Sequence, residues 1–309
     1  MLQLVGAVTL ASLTDRLASW CAFWLLPPIP LTRYQSTPDS WGLITGASAG
    51  IGLGFAEELA ARAFNVILLG HNQDELRQVR TVLIEKYSTV KVELILIDVT
   101  SASTADIEGV LLSISQKVTV LVNNVGGLGV SPSLHYRRVD VTSAEEMDRV
   151  FSLNVIFMAH VTRHLIPLLA RNGPSLVLNV GSASMLGMPG VATYSGCKAF
   201  VASFTKAIAR EMDADGDPVD VLGIILGEVH TQANTGKLPL ESPNGREVAA
   251  AALNLAGRAV TRGKRLFHPW MLHAIEDTIV AILPAWLMEK VLRTVFSNKR
   301  SQQNDYQLQ

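Results

Sequence analysis

Tyr194 and Lys198 stand four positions apart in the run Tyr194-Ser195-Gly196-Cys197-Lys198, twelve positions after Ser182. On an α-helix such a pair shares one face about one turn apart, so a phenol and an ammonium can address the same small volume. A tyrosine with a reference pKa of about 10 is a poor proton donor at neutral pH, and a neighbouring positive charge favours its ionisation. The chemistry this suits is delivery of a proton to a carbonyl oxygen. A Tyr–Lys match at this spacing also arises by chance on solvated helices, so its weight comes from its surroundings. Upstream, in a workable order, lie Thr45-Gly46-Ala47-Ser48-Ala49-Gly50-Ile51-Gly52, then Asn123-Asn124-Val125-Gly126, then Gly181-Ser182.

The glycine-rich turn follows an apolar run directly and opens a helical pattern. Gly46, Gly50 and Gly52 let the backbone turn tightly and approach a pyrophosphate at a helix N-terminus, where unpaired amides and the helix dipole favour negative charge. Ser48 and Ile51 belong to the same candidate cradle. Without its flanking strand and helix, the cluster would read as an ordinary tight turn. The next apolar run ends in Leu69-Gly70-His71-Asn72. An acid here would hold a ribose 2′-hydroxyl, and its absence removes the repulsion that a 2′-phosphate would meet, so NADP is the expected cofactor. His71 either donates to that phosphate or is an uninvolved surface histidine. Asp98, closing the third run, either accepts from an adenine amino group or caps the following helix through Ser101 and its neighbours.

Positioning these groups requires alternating strands and helices. Residues 42–44, 66–69, 92–97, 118–122, 176–180 and 219–226 read as buried strands, nearly continuous in apolar residues. Between them, 50–63, 74–87, 102–115, 144–170 and 193–212 carry helical spacing. This alternation predicts an α/β fold: a Rossmann-type, doubly wound parallel sheet with helices on both faces and ligands beyond the carboxyl ends of the strands. A single catalytic domain is expected over 38–262, with an apolar leader and Pro-rich linker over 1–37 and a C-terminal extension over 263–309.

The composition agrees. A chain of 309 residues, 49% hydrophobic and 17% charged, can bury one large core. A net charge of −1 with no basic stripe argues against a nucleic-acid partner. Cys21 and Cys197 cannot form a disulfide framework, which points to a reducing compartment, with Cys197 as a packing residue. No metal site is expected.

The leader is apolar over 1–14 and 17–29, but Asp15-Arg16 interrupts it and Pro27-Pro28-Ile29-Pro30 ends it. Neither half matches the roughly 20 apolar residues that a spanning helix needs, and no basic region marks a secretory signal. The expectations are a membrane-surface or re-entrant hairpin, or a helix packed on the protein's own surface. Residues 278–288 read as an amphipathic helix that could lie on a bilayer, cap a pocket or pack in the core. The tail 297–309 reads as disordered, and 232–243 as a mobile substrate lid.

Together these residues resemble the short-chain dehydrogenase/reductase family over about 41–262, most closely its very-long-chain 3-oxoacyl-CoA reductase and 17β-hydroxysteroid dehydrogenase branch. The likeness rests on the glycine turn, Asp98-Val99, Asn123 to Gly126, Asn154, Ser182 and the Tyr194 to Lys198 run. It implies an NADPH-dependent reduction of a ketone on an apolar 3-oxoacyl, steroid or polyketide-like substrate. Tyr194 would give the proton, Ser182 would hold the carbonyl oxygen, and Lys198 would grip the nicotinamide ribose. Asn154 would hold a water linking Lys198 to solvent; on residue type alone it reads equally as a helix-kink or capping residue. Asn124 would shape the turn under the adenine ribose, and Val229 and Thr231 would engage the carboxamide. The branch implies a membrane-associated protein facing the cytosol, and a cytoplasmic one is expected if the leader does not attach; a homo-oligomer fits either. Three departures stand out: Leu226-Gly227 replaces the family's Pro-Gly, which predicts a less rigid loop, His71 replaces a frequent Arg, and Asp15-Arg16 breaks the apolar leader, so membrane anchoring does not simply transfer. A nucleotide-sensing module without turnover is the competing expectation.

Overall fold

The computed structural model describes residues 1–129, 136–232, 234 and 241–307. In chain order they form α1 (Leu2–Leu25), a 3-10 turn (Leu31–Tyr34), β1 (Trp41–Thr45), α2 (Gly50–Ala61), β2 (Asn65–Gly70), α3 (Gln73–Lys86), β3 (Val92–Leu96), α4 (Thr104–Leu112) and β4 (Val118–Asn123). There follow α5 (Ala144–Phe151), α6 (Phe157–Asn172), β5 (Ser175–Val180), α7 (Ala192–Asp215), β6 (Val219–Ile224), α8 (Gly245–Thr261), β7 (Leu266–Phe267), α9 (Met271–Ile282) and α10 (Ala285–Gln307).

All strand pairs are parallel, in the order β3-β2-β1-β4-β5-β6-β7. Successive side chains leave a strand on opposite faces, and both faces are covered, so the central strands carry no polar alternation. Ile44, Leu68 and Val122 face α2, α3 and α8 through Phe55, Leu76 and Val248. Leu43, Ile67 and Leu121 face α4, α6 and α7 through Ile107, Val161 and Ile208. The expected doubly wound sheet is therefore present, with β7 as a further strand. β3 is less enclosed than its apolar sequence predicts, because it lies at the sheet edge; Leu96 there is 51% exposed.

The chain leaves β1 toward one edge and β4 toward the other, opening a crevice at their carboxyl ends. Buried polar groups pin this region. Asn123 Nδ2 donates to Thr162 Oγ1 at 2.9 Å and Asn179 Oδ1 at 2.8 Å, and Asn179 Nδ2 donates to Thr205 Oγ1 at 2.9 Å. Thr45 Oγ1 accepts from the Asn124 and Val125 amides at 2.9 and 3.0 Å, joining the ends of β1 and β4. Backbones touch where α2 meets α8: a Cβ on Gly54 would strike the Gly245 carbonyl, and one on Gly245 would strike that of Gly50.

The leader differs from the hairpin expected of it. Asp15 and Arg16 lie inside one continuous helix, α1, since neither residue type breaks a helix. Every described side chain of α1 up to Ala18 is exposed, including Val5, Val8, Leu10 and Leu17. Only its C-terminal end is anchored. Phe23 is buried against Phe267, its ring centroid 6.0 Å away, and Arg258 donates to the Phe23 carbonyl and, at 2.9 Å, to that of Pro27. Among the described residues, Ala144–Asn172 is long and apolar enough to cross a membrane, yet its Val161, Leu165 and Leu169 pack into the core.

At the other end, Pro284 separates α9 from α10, and α10 continues to Gln307 where the sequence predicts disorder from 297. Leu272, Ile275, Ile279, Ile282 and Trp286 leave an exposed apolar stripe at helical spacing.

Candidate active site

A cleft of about 750 Å³ opens over the carboxyl ends of the strands. At one end lies the glycine turn. Gly46 and Gly50 have φ of +67° and +56°, which a side chain would strain. A Cβ on Gly46 would sit 3.0 Å from Asn124 Nδ2, and one on Gly52 would run into the Gly46 carbonyl. Asn124 Nδ2 holds the turn by donating to Thr45 O at 3.0 Å and Gly46 O at 3.2 Å. Gly46, Ser48, Gly50, Ile51 and Asn124 face the cleft, whereas Gly52 lies beneath it as a packing requirement. No side chain caps α2, although Asn72 caps α3 and Ser103 caps α4. The positive N-terminus of α2 is thus left to the cleft, as a diphosphate would need.

His71 and Asp98 line the same end, at the tips of β2 and β3, and both are exposed. Asp98 Oδ1 accepts from Thr100 Oγ1 at 2.7 Å and Thr100 N at 2.9 Å, and these bonds hold its carboxyl below the usual range. Because Ser103 supplies the α4 cap, the capping alternative for Asp98 is not realised. Gly70, Val99 and Gly181 complete the wall. Val99 was legible beside Asp98; the two glycines carry no chemical signal in sequence.

At the opposite end Ser182, Tyr194 and Lys198 converge. Ser182 follows β5 and begins the turn Ala183–Leu186, its Oγ accepting from Ser184 N at 3.2 Å. Tyr194 and Lys198 lie one turn apart on α7, as their spacing predicts. Lys198 is 4% exposed, and its Nζ donates to the Val180 carbonyl at 3.0 Å while lying 5.4 Å from the Tyr194 ring centroid. Asn154 is buried behind the cleft at the centre of a π-helical turn, Ser152–Ile156, between α5 and α6. Its side chain accepts from Gly127 N at 3.0 Å and donates to Gly127 O at 2.7 Å and Val150 O at 2.9 Å. Gly126 separates Asn154 from Lys198: a Cβ there would stand 2.7 Å from Asn154 Oδ1 and 3.1 Å from Lys198 Nζ.

Burial dominates the electrostatics at this end. Burial pushes the Tyr194 phenol up to about 12; hydrogen bonding with Ser182 opposes this, and the charges of Tyr136, Cys197 and Glu228 add to it. Lys198 Nζ lies over the ring and donates to the Val180 carbonyl, so burial is the larger influence on the phenol in the open cleft. Tyr194 is only partly buried, so its shift reflects a wall that the open cleft still lets solvent reach.

Val229 and Thr231 follow β6 and line the cleft, Thr231 beside the glycine turn, where a Cβ on Gly50 would meet it at 3.3 Å. The Leu226 carbonyl accepts from Ala183 N at 2.8 Å, and the loop is tied to the C-terminal helices. Those ties, through Glu228, His273 and Lys299, have no motif that sequence reading could have found. Of the predicted lid, 233 and 235–240 lie outside the described residues. No cluster of metal-ligating side chains occurs among the described residues.

Burial pushes Lys198 down from its ordinary 10.5 to about 8. The unfolded chain therefore binds more protons between about pH 8 and pH 10.5. Lys198 accordingly weakens the fold below that window, and the penalty fades as pH rises through it. Lys198→Met is expected to be more stable than wild type at pH 7, by roughly 1–3 kcal/mol, with the gap closing toward pH 10.5. Chemical denaturation across that range measures it, and a gap independent of pH would contradict the assignment.

The sequence pattern of the short chain dehydrogenase family matches residues 41–240. Over 314 residues the chain is 29% identical to the very-long-chain 3-oxoacyl-CoA reductase of Rattus norvegicus, covering 98% of this chain and 94% of that protein. It is 31% identical over 273 residues to the enzyme of the same name from Coprinopsis cinerea, covering 84% and 77%. Among solved structures, a short-chain dehydrogenase from Sphingobium yanoikuyae in complex with NADPH superposes with TM-score 0.63 at 23% identity, over 80% of this chain and 97% of that one. A 7β-hydroxysteroid dehydrogenase superposes with TM-score 0.69 at 19% identity, over 85% and 98%. With its parallel sheet, glycine turn and Ser182, Tyr194 and Lys198 in one cleft, the chain belongs to the short chain dehydrogenase family of oxidoreductases, in its very-long-chain 3-oxoacyl-CoA reductase branch.

Proposed function

We propose that this enzyme reduces the ketone of an apolar substrate, a 3-oxoacyl thioester in first place, to a secondary alcohol with NADPH. The observation that carries the reading is the convergence of Ser182, Tyr194 and Lys198 at one end of a cleft whose other end is a glycine turn against an uncapped helix. A bound nicotinamide dinucleotide supplies the hydride. The rest is done by the chain's own groups. The Ser182 hydroxyl donates a hydrogen bond to the carbonyl oxygen and keeps it near the phenol. Tyr194, one helical turn from Lys198 and hydrogen-bonded with Ser182, gives its proton to the carbonyl oxygen. Once the proton has gone to the carbonyl oxygen, the ammonium of Lys198 stabilises the phenolate left behind. Asn154 shapes the 126–127 backbone beside Lys198, and its role is to hold a water that links that lysine to solvent.

At the nucleotide end, Asp98 accepts from the adenine amino group, Asn124 supports the adenine ribose, and the Val229 backbone and Thr231 hydroxyl hold the carboxamide. His71, at the tip of β2 in the cleft, donates to the 2′-phosphate, and no carboxylate follows it directly in the chain. The catalytic unit spans 38–262, flanked by the extensions 1–37 and 263–309. The exposed apolar side chains of α1 support placing the protein on a membrane surface, facing the cytosol, where apolar substrates reside. A purely nucleotide-sensing module would have no use for the Ser182, Tyr194 and Lys198 set, and no observation favours it.

Tyr194→Phe is expected to lower ketone-dependent NADPH oxidation by roughly 10²–10⁴-fold while cofactor binding, followed by fluorescence, is retained. Near-normal turnover would remove Tyr194 from the chemistry. His71→Ala is expected to cut the NADPH-over-NADH preference in kcat/KM by about tenfold, the weight of one charge-assisted hydrogen bond; an unchanged ratio would assign the selectivity elsewhere. In fractionation, the full chain should stay with membranes through a high-salt wash and leave with detergent, and release by salt alone would contradict an apolar attachment.

A further inference from the structure

The helices after β7 return to the cleft and grip the loop that follows β6. On α9, the His273 ring is buried and Nδ1 accepts from the Gly227 amide at 3.2 Å. The contact is close, since a Cβ on Gly227 would stand 2.7 Å from His273 Cδ2. On α10, Lys299 Nζ lies 2.6 Å from Glu228 Oε1. The other carboxylate oxygen, Oε2, accepts from Asn234 Nδ2 at 2.8 Å, and the same amide reaches Val229 O at 3.3 Å. Three residues before Lys299, on the same face of α10, Phe296 packs over Gly190, whose φ is +80°. Gly190 belongs to the loop leading into α7 and Tyr194. One helix therefore touches the chain on both sides of the Tyr194 end of the cleft.

The loop needs such a restraint. Leu226 occupies the position where the family resemblance places a proline, so φ at this point is not locked by a ring. Glu228, two residues on, is half-enclosed and close enough for its charge to act on Tyr194. With Lys299 removed, that carboxylate loses its counter-charge and the loop loses its outer tie.

We propose that His273 and Lys299 are positioning residues, by which the C-terminal helices hold residues 227–229 in place so that Val229 and Thr231 present their cofactor-binding groups to the cleft. The proposal rests on the reading of this loop as the holder of the nicotinamide. Neither residue touches a reacting atom; both act through the loop, and Lys299 also neutralises the carboxylate nearest the phenol.

The test uses the full chain with Lys299→Glu, Lys299→Arg, Glu228→Lys and the Glu228→Lys/Lys299→Glu exchange. Amide hydrogen exchange over 227–229, NADPH affinity and steady-state kinetics are measured for each. Lys299→Glu is expected to speed exchange at those amides, weaken NADPH binding and lower kcat by roughly tenfold or more, with the melting temperature little changed. Lys299→Arg should behave as wild type, and the exchanged pair should recover most of the loss, which a merely structural lesion would not. Unchanged exchange and kinetics in Lys299→Glu, or an exchanged pair no better than Lys299→Glu alone, would overturn the proposal. Thr231→Val separates the two layers. If Lys299→Glu loosens the loop while neither it nor Thr231→Val alters NADPH binding, the cofactor reading of the loop fails, and the positioning role fails with it.

Discussion

A lysine that is 4% exposed has given up most of its hydration, and the Val180 carbonyl at 3.0 Å is its only direct acceptor among the described contacts. Keeping an ammonium in such a place is expensive. The surroundings are arranged around that expense. Gly126 has no side chain because one would press on Lys198 Nζ and on Asn154 Oδ1 together. Asn154 is held at three points on Gly127 and Val150, fixing the backbone beside the lysine. The π-helical turn that carries Asn154 distorts a helix that could otherwise have run regularly from α5 into α6. The irregularity of this corner accompanies a cation placed next to a phenol beneath a cleft.

The sheet makes the arrangement rigid enough to persist. β1 and β4 are neighbours whose connections leave in opposite directions, so their carboxyl ends must be tied by side chains, and Thr45 and Asn124 do this across the crevice. Beneath them Asn123, Asn179, Thr162 and Thr205 form a buried side-chain network inside the core. The glycines at 52, 54 and 245 have a related role: they let the glycine turn, α2 and α8 approach backbone to backbone. Cofactor end and proton-donating end are thus parts of one packed unit.

The two extensions attach to that unit differently. α1 is held at its C-terminal end, where Phe23 enters the core, Trp24 packs beside it and Arg258 captures the last carbonyls, while Val5, Val8, Leu10 and Leu17 are exposed. α9 and α10 instead contact the catalytic loops directly, through His273, Phe296 and Lys299. The leader therefore bears on where the enzyme sits, and the C-terminal helices on how its cleft is shaped.

Six of the strands, the helices between them, with α5 and α6 read as one, and the order of the site residues were legible in the sequence, because strands buried on both faces leave unbroken apolar runs and an i,i+4 pair must share a helical face. The two-residue β7 left no such trace, and α1 read as broken at Asp15-Arg16 because sequence cannot tell whether a charge meets water or core. α10 read as disordered past 297, since its polar residues find their partners only in space, as Lys299 does on Glu228. The ionisation of the Tyr194–Lys198 pair was likewise beyond the sequence. Spacing places the two groups on one turn, but burial and the direction of the ammonium, which set their pKa values, depend on Val180, Gly126 and Asn154 arriving from other strands and helices. Local periodicity is written in consecutive residues, whereas desolvation and long-range ion pairs exist only after the chain has closed on itself.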